Sequence, residues 1–600
     1  MNANEKNGFQ VDNSHSRQST IDLSGEKKRN DETTKSDLQL LPQTVINESN
    51  DGENKEKKRH GISVFIINFN SNVRQYKEKH DTKIKFLTTF LVHLILLGYF
   101  CWATQYFLKQ DISLSSTTCN GYGFLMIAYI IIYFTVIYYL ILKPFVLPLL
   151  FKPLAGTYKR VSSIRFIGPI IHGIILIGCI VFIAIDSRGS FERLIPLAGL
   201  LFLLLFGFAI SSNHRKINWD IVIAGLDLQF LIGMLAIRWE TGRNVLVCVG
   251  DKATAFLSFA NNGSSFVYGD FLIMEQGVFA FQALSTILFV GMVVSILFHL
   301  GYLQMFIVTV GEFLQFFMGT TICESVNSAS NIILGQTESP LLLKHYLHQL
   351  TDSEIHSIMT SGFATVSGSV FAGYISFGAR ATDLITASVM SAPAALCFSK
   401  LVYPETEKTS ATKEAVSLSK SGYTSVLDAA CKGASQGMEL ILGIISNVIA
   451  LIAFVSFASA VLEWCGTLVG FTEEGETWTI YRITGYIFTP LSYIMGVPWD
   501  ECYSVGRLIG LKTILNEFVA FQNMQSMVLT ERTKVIATYA ICGFSNPGSI
   551  GITVSGLSTL VPTKREVITR LVFRAFVGGA IVCLMTACIA AMVLPYDVII

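Results

Sequence analysis

From Phe86 to Leu108 the chain reads FLTTFLVHLILLGYFCWATQYFL, with no Asp, Glu, Lys or Arg in the run. At 1.5 Å per helical residue it spans about 35 Å, enough to cross a hydrocarbon core roughly 30 Å thick. Comparable apolar runs lie at 124–148, 165–186, 194–212, 278–303, 382–402, 436–461, 480–498 and 571–595. Lipid tails cannot hydrogen-bond an exposed backbone, so such runs must be helical. The spacing predicts an all-α polytopic membrane protein embedded in a lipid bilayer. Only 14% of the chain is charged, against about 25% in soluble proteins.

Much of that charge sits in residues 1–85, in stretches such as SGEKKRNDETTKSD and NDGENKEKKRHG. This tail is too polar to bury a core, which predicts disorder. It lacks a short apolar core of the signal-peptide type, so no cleavable leader is expected. Arg74, Lys77, Lys79, Lys83 and Lys85 precede the first span, and Lys152, Lys159, Arg160 and Arg165 follow the second. The alternate loops carry fewer cations, which predicts a cytoplasmic N-terminus. Residues 86–212 are then the N-terminal transmembrane helices. Residues 213–277 are expected to hold an interfacial helix at 219–238, interrupted by Asp220, Asp227 and Gln229, and a polar loop, FANNGSSFVYGD. The cysteines are scattered without metal-ligand spacing, which suits small buried hydrophobes. Basic residues do not cluster with aromatics outside the tail, so no nucleic-acid surface is expected.

Within 278–600, four segments are apolar yet broken near their middles: 322–348, 354–380, 500–525 and 533–558. They form two pairs. The first holds GQTESP, with Glu338, followed by SGFATVSGSVFAGYISFGA; the second holds LNEFVAFQ, with Glu517, followed by CGFSNPGSIGITVSGL. Each pairs a short segment bearing a carboxylate with a helix that breaks at Gly-Phe, at 362–363 and 543–544. Two corresponding interrupted segments point to a transporter site at a repeat interface. The short segments, about 322–348 and 500–525, are predicted to be re-entrant hairpins. An ionised group at the bilayer centre costs at least ~2.5 kcal/mol, so Glu338 and Glu517 are functional candidates.

GQTESP, FATVSGS, NEF and GFSNPGSIG, with FQALSTILFVGMVVSILFHLGYLQ upstream, resemble the signatures of the concentrative nucleoside transporters of eukaryotic type. The resemblance implies an inverted-repeat, elevator-type transporter with two re-entrant hairpins and two unwound transmembrane helices. It implies a homotrimer in the plasma membrane that takes up nucleosides with sodium and needs no cofactor. By matching positions, the base would meet Gln336, Thr337 and Glu338, with Val370 facing them. Ribose would meet Glu517, Asn546 and Ser549, with Phe544 beside the solute. Sodium would sit among Asn331, Leu334, Thr365 and Val366, the leucine and valine contributing main-chain oxygen. Gly335-Gln336 with Ser369-Val370 resembles the broadly selective members, which implies both purine and pyrimidine nucleosides. Pro547 departs from members that lack it.

The residue types suit that chemistry. A Gln side chain matches the donors and acceptors of a base edge in both directions. A carboxylate accepts short, charge-assisted bonds from ribose hydroxyls. Sodium, a hard cation, takes oxygen ligands. Alternatives remain open at this level. Proton coupling occurs in similar proteins. A carrier of anionic solutes would need a basic partner, and only Lys344, Arg507 and Lys512 lie near the hairpins. An intramembrane enzyme would call on His345, His348 or His356, which lie beyond the hairpin tip. A channel would need no alternating site.

Overall fold

The computed structural model describes residues 81–110, 117–146, 167–186, 191–409, 422–471 and 477–595. The tail expected to be disordered lies outside these residues up to position 80. Residues up to Met126 form one unit and those from Ile127 a second. In the first, α1 (Asp81–Leu108) is followed by the start of α2 (Tyr122–Ile137). Phe107 stacks on Tyr122 at 4.5 Å, and the hydroxyls of Thr104 and Tyr122 are 2.9 Å apart.

The second unit continues with α3 (Ile167–Asp186), α4 (Ile195–Ala209), α5 (Trp219–Gly233) and α6 (Glu240–Tyr268). Here the sequence reading of 213–277 needs correction. α5 continues as a wider turn to Arg238, and Trp219–Arg238 is long and apolar enough to cross a membrane. Asp220, in its first turn, is exposed, but Asp227 and Gln229 face protein rather than a membrane surface. Gln229 is fully buried and donates from Nε2 to Thr586 Oγ1 at 3.0 Å, and Asp227 is buried beside it. Most of the stretch expected as a polar loop is the last third of α6, a helix of 29 residues that ends at Tyr268.

The clean span expected at 278–303 is also different. It is α7 (Thr286–His299), followed after a 79° bend by α8 (Tyr302–Met318). Gly301 makes the bend, with φ at +84°, which glycine adopts without strain. Next come α9 (Ile322–Ser330), α10 (Asp352–Ala364), α11 (Phe371–Ser376), α12 (Ala381–Val402) and α13 (Val426–Leu468). α13, of 43 residues, packs along α7. The chain ends with α14 (Ile480–Ile494), α15 (Trp499–Ile514), α16 (Glu517–Gln525), α17 (Glu531–Ile541), α18 (Pro547–Leu560) and α19 (Arg565–Val593).

The four interrupted segments break where the sequence places polar residues. α9 leads into a turn over 331–338 and back along Ser339–Leu343, which packs on it. That returning arm is a tight 3₁₀ stretch rather than an α-helix, with Pro340 in its first turn. α15 and α16 make the second hairpin, with Asn516 capping α16 by accepting from Val519 N at 3.0 Å. α10 unwinds at Thr365 and resumes as α11. α17 unwinds at Cys542 and resumes as α18, capped by Asn546 through Ser549 N at 2.9 Å. Asn side chains favour such caps because they satisfy orphan amides of the first turn.

The two breaks touch. Phe544 N donates to Thr365 O at 3.3 Å, and Ser545 Oγ donates to Phe363 O at 3.2 Å. Gly543 makes the approach possible, since a Cβ there would stand 2.5 Å from Cys583 Sγ and 3.0 Å from Phe363 O. Both broken helices pack on α12 and α19. At the far end of α9 and α10, capping boxes place Glu324 and Glu354 over the first turns. Buried Lys400 ion-pairs there with Glu324 at 2.9 Å and Glu405 at 3.4 Å, and donates to Ser353 Oγ at 3.0 Å.

Candidate functional site

The two hairpin tips and the two helix breaks converge on one cavity, with about 690 Å³ between its lining atoms. Gln336, Thr337, Glu338, Val370, Glu517, Phe544, Asn546 and Ser549 all line it. The structure therefore brings all eight of these residues together from four separate segments.

Glu517 begins α16 and is 2% exposed. Its Oε1 accepts from Tyr374 Oη at 3.0 Å and its Oε2 from Asn546 Nδ2 at 2.8 Å. A carboxylate has about four lone-pair sites, so roughly two remain for hydroxyls in the cavity. Tyr374 is fully buried and stacked on Phe521 at 4.7 Å, which fixes its hydroxyl. Asn546 is held from its other end as the cap of α18. The clamp is thus positioned before any solute arrives.

At the opposite tip, Thr553 Oγ1 donates to Gln336 Oε1 at 3.1 Å. That bond orients the amide, leaving its NH₂ group as donor. Glu338 accepts from Gly335 N at 3.1 Å, so its carboxylate braces the turn that presents Gln336.

The four residues matched to sodium lie apart from this cavity. Asn331, Leu334, Thr365 and Val366 are all buried, and none lines it. Asn331 Nδ2 donates to Ser361 Oγ at 3.0 Å, Ser361 to Ser328 Oγ at 3.1 Å, and Ser328 to Ala392 O at 2.8 Å. This chain of donors fixes the Asn331 amide and leaves Oδ1 without a partner among the described residues. Thr365 donates its hydroxyl hydrogen to Ser361 O at 2.8 Å, keeping its lone pairs free. A buried orphan carbonyl oxygen and a hydroxyl with lone pairs to offer are ligand types a hard cation takes.

Lys512, one of the cations near the second hairpin, is buried and donates to Ala540 O at 3.5 Å. It does not line the cavity. His356 is buried near the Lys400 cluster, with Nδ1 2.7 Å from Ser399 Oγ.

Sequence reasoning missed Tyr374, Thr553, Ser361 and Asn447. Tyr374 sits among the apolar and small residues of α11 and Thr553 among the small residues of α18, and both read as ordinary packing. Asn447, on α13, lines the cavity from outside the duplicated segments. A polar residue in the most apolar part of a long span was the one available signal.

Hairpins and broken helices that meet at one cavity define the core of a secondary transporter. Family models agree on its kind. The N-terminus of Na+ dependent nucleoside transporters matches residues 198–271, nucleoside recognition (gate) matches 280–381, and the C-terminus of Na+ dependent nucleoside transporters matches 383–591. Sodium/nucleoside cotransporter 1 of Oryctolagus cuniculus is 38% identical over 541 residues, covering 87% of this chain and 79% of the relative. Sodium/nucleoside cotransporter 2 of Rattus norvegicus is 40% identical over 457 residues, covering 73% and 68%. The structure of CNTnw in an inward-facing, substrate-bound state superposes with a TM-score of 0.63 at 34% identity, covering 67% of this chain and 98% of CNTnw. A substituted CNTnw in an outward-facing state gives 0.64 at 33% identity, covering the same shares. The chain belongs to the concentrative nucleoside transporter family.

Proposed function

We propose that this protein takes up nucleosides together with sodium, accepting both purines and pyrimidines. It acts as a homotrimer in the plasma membrane with its N-terminus in the cytoplasm, and as a transporter rather than an enzyme. The observation that carries this reading is Glu517: a buried carboxylate with two side-chain donors in place and about two acceptor sites left over, facing the cavity where the hairpin tips and helix breaks meet. Ribose hydroxyls complete its shell, with Asn546 and Ser549 alongside. The base meets Gln336, Thr337 and Glu338, with Val370 facing them and Phe544 beside the solute. The Gln336 amide donates from its NH₂ group and keeps a second lone pair on the oxygen that Thr553 holds, so it can donate to and accept from both classes of base.

Sodium occupies the oxygen set of Asn331, Leu334, Thr365 and Val366. No residue of that set is charged, so the bound ion keeps its charge and the membrane potential acts on it. One charge moving through 100 mV releases about 2.3 kcal/mol, roughly fiftyfold accumulation. Ion binding orders the tip that carries Gln336, so ion and solute raise each other's affinity equally.

Counterflow of radiolabelled uridine in proteoliposomes tests the reading. Saturable uptake that requires sodium and exchanges with internal uridine is expected. Flux without saturation, or electrogenic uptake undiminished when choline replaces all sodium at neutral pH, refutes it.

A further inference from the structure

A second chamber of about 770 Å³ lies on the other side of the first hairpin tip. Three residues line both chambers and so form their common wall: Glu338, Ser367 and Leu440. Of the four residues matched to sodium, Leu334 alone lines either chamber, and it lines the second. Its neighbour Ile333 accepts from Gly368 N at 2.9 Å through its carbonyl. This single backbone bond joins the tip to the first helix break, and Ser367 and Ser369, on either side of Gly368, also line the second chamber.

The two chambers differ in depth along α13. The first is lined by Leu440, Ile444, Asn447 and Leu451, within a stretch from Leu440 to Leu462 that holds no charged residue. That stretch is about 34 Å long, close to the hydrocarbon thickness. The second is lined by Gly433, Gln436, Gly437 and Leu440, in the part of α13 that carries Asp428, Lys432 and Glu439. It therefore sits at the water-facing end of the apolar stretch. Its polar lining supplies oxygen: the Glu338 carboxylate, the hydroxyls of Ser295, Ser367, Ser369 and Tyr423, and the Gln436 amide. Among the described residues no Lys, Arg or His lines it, and nearby Lys432 is paired with Asp428 at 3.1 Å. Nor does it contain a donor–carboxylate clamp like that on Glu517.

We propose that this second chamber is an antechamber for a partly hydrated sodium ion, which reaches its buried oxygen set past Ile333 and Leu334 by a route separate from the nucleoside's. The inference rests on the sodium-coupled reading given above. Glu338 serves both sides: it braces the turn that presents Gln336 and puts carboxylate oxygen on the wall the ion passes. The ion then binds without crossing the solute chamber, and a bound nucleoside does not bar its way.

A cysteine at Gln436 in the full-length protein, labelled with a trimethylammonium-ethyl thiosulfonate, tests this against the unsubstituted protein. Labelling is expected to raise the sodium concentration for half-maximal uridine uptake by about tenfold and to leave half-saturating uridine, measured at saturating sodium, unchanged. Sodium should slow the labelling and uridine alone should not. Asn447→Cys, in the first chamber, should show the reverse protection. Ser295→Cys, on the facing helix, gives the same readout should Gln436→Cys fail to reach the membrane. Two results overturn the antechamber while sodium coupling stands: protection of the Gln436 cysteine by uridine, or a labelled protein with weakened uridine affinity and unmoved sodium dependence. Uptake indifferent to sodium in the unlabelled protein overturns both readings.

Discussion

Replacing Glu517 by Gln changes one atom's chemistry and almost nothing of the shape. In the native site both carboxylate oxygens accept, from Tyr374 at 3.0 Å and from Asn546 at 2.8 Å. In Glu517→Gln one oxygen becomes an NH₂ group that must face a donor. If it faces Tyr374, the tyrosine hydroxyl loses its acceptor; if it faces Asn546, the cap of α18 is disturbed. A hydrogen bond to a charged group contributes about 1.5–3 kcal/mol, and the remaining bonds to ribose also become neutral. At about 1.4 kcal/mol per decade, the expected loss in uridine transport efficiency is roughly 10- to 150-fold. The assay is radiolabelled uridine uptake, normalised to surface protein by biotinylation. A second arm compares uridine with its 2′,3′-dideoxy analogue. The native protein should strongly prefer uridine, because its acceptors are left unpaired by the analogue. The variant should discriminate far less. Native-like efficiency at equal surface level, with the preference intact, refutes the assignment of Glu517 to ribose.

Asn331→Ala removes the orphan Oδ1 and should raise half-saturating sodium by about tenfold with maximal uptake much less affected; unchanged sodium dependence in the surviving protein would mean a cap only. Ser361→Ala frees the Asn331 amide to rotate and should shift sodium dependence in the same direction by a smaller factor, read in the same assay. Thr553→Val releases Gln336 and should alter the ratio of inosine to uridine uptake, whereas an unchanged ratio removes Gln336 from base selection. Inosine and guanosine should both inhibit uridine uptake by the native protein, and their failure to compete counts against broad selectivity. Lys400→Met leaves Glu324 buried without its partner, which should destabilise the protein by about 3–5 kcal/mol; a lower melting temperature in detergent is expected, with partial recovery when Glu324→Gln is added.

The carboxylates were legible in the sequence because charge inside an apolar run is expensive and these two recur in matched surroundings. The breaks were legible to within a few residues: the second falls beside Gly543-Phe544, whereas the first helix runs through Gly362-Phe363 to Ala364 and unwinds only at Thr365. Their supports were not. Tyr374 is 143 residues from Glu517 and Thr553 is 217 from Gln336, so only tertiary packing shows what these hydroxyls do. Helix α5 misled for the opposite reason. Asp227 and Gln229 read as a wet face because hydropathy counts a polar side chain without knowing its partner, and Gln229 spends its amide on Thr586. The second half of α6 misled because its Asn, Gly and Ser residues are common in turns, yet its exposed Phe266 and buried Leu257, Ala260 and Ser264 belong to opposite sides of one helix.

The contact between the two helix breaks has a consequence for how the chain is made. Ser545 donates to the carbonyl of Phe363 across 182 residues, and Phe544 to that of Thr365 nearby. Translation at about 5–20 residues per second separates these partners by roughly 10–40 seconds. During that interval the first repeat has been synthesised with carbonyls that its own residues do not satisfy. The first half of the core must therefore wait, with its break wet or shielded by the insertion machinery, until the second half supplies the missing amide and hydroxyl.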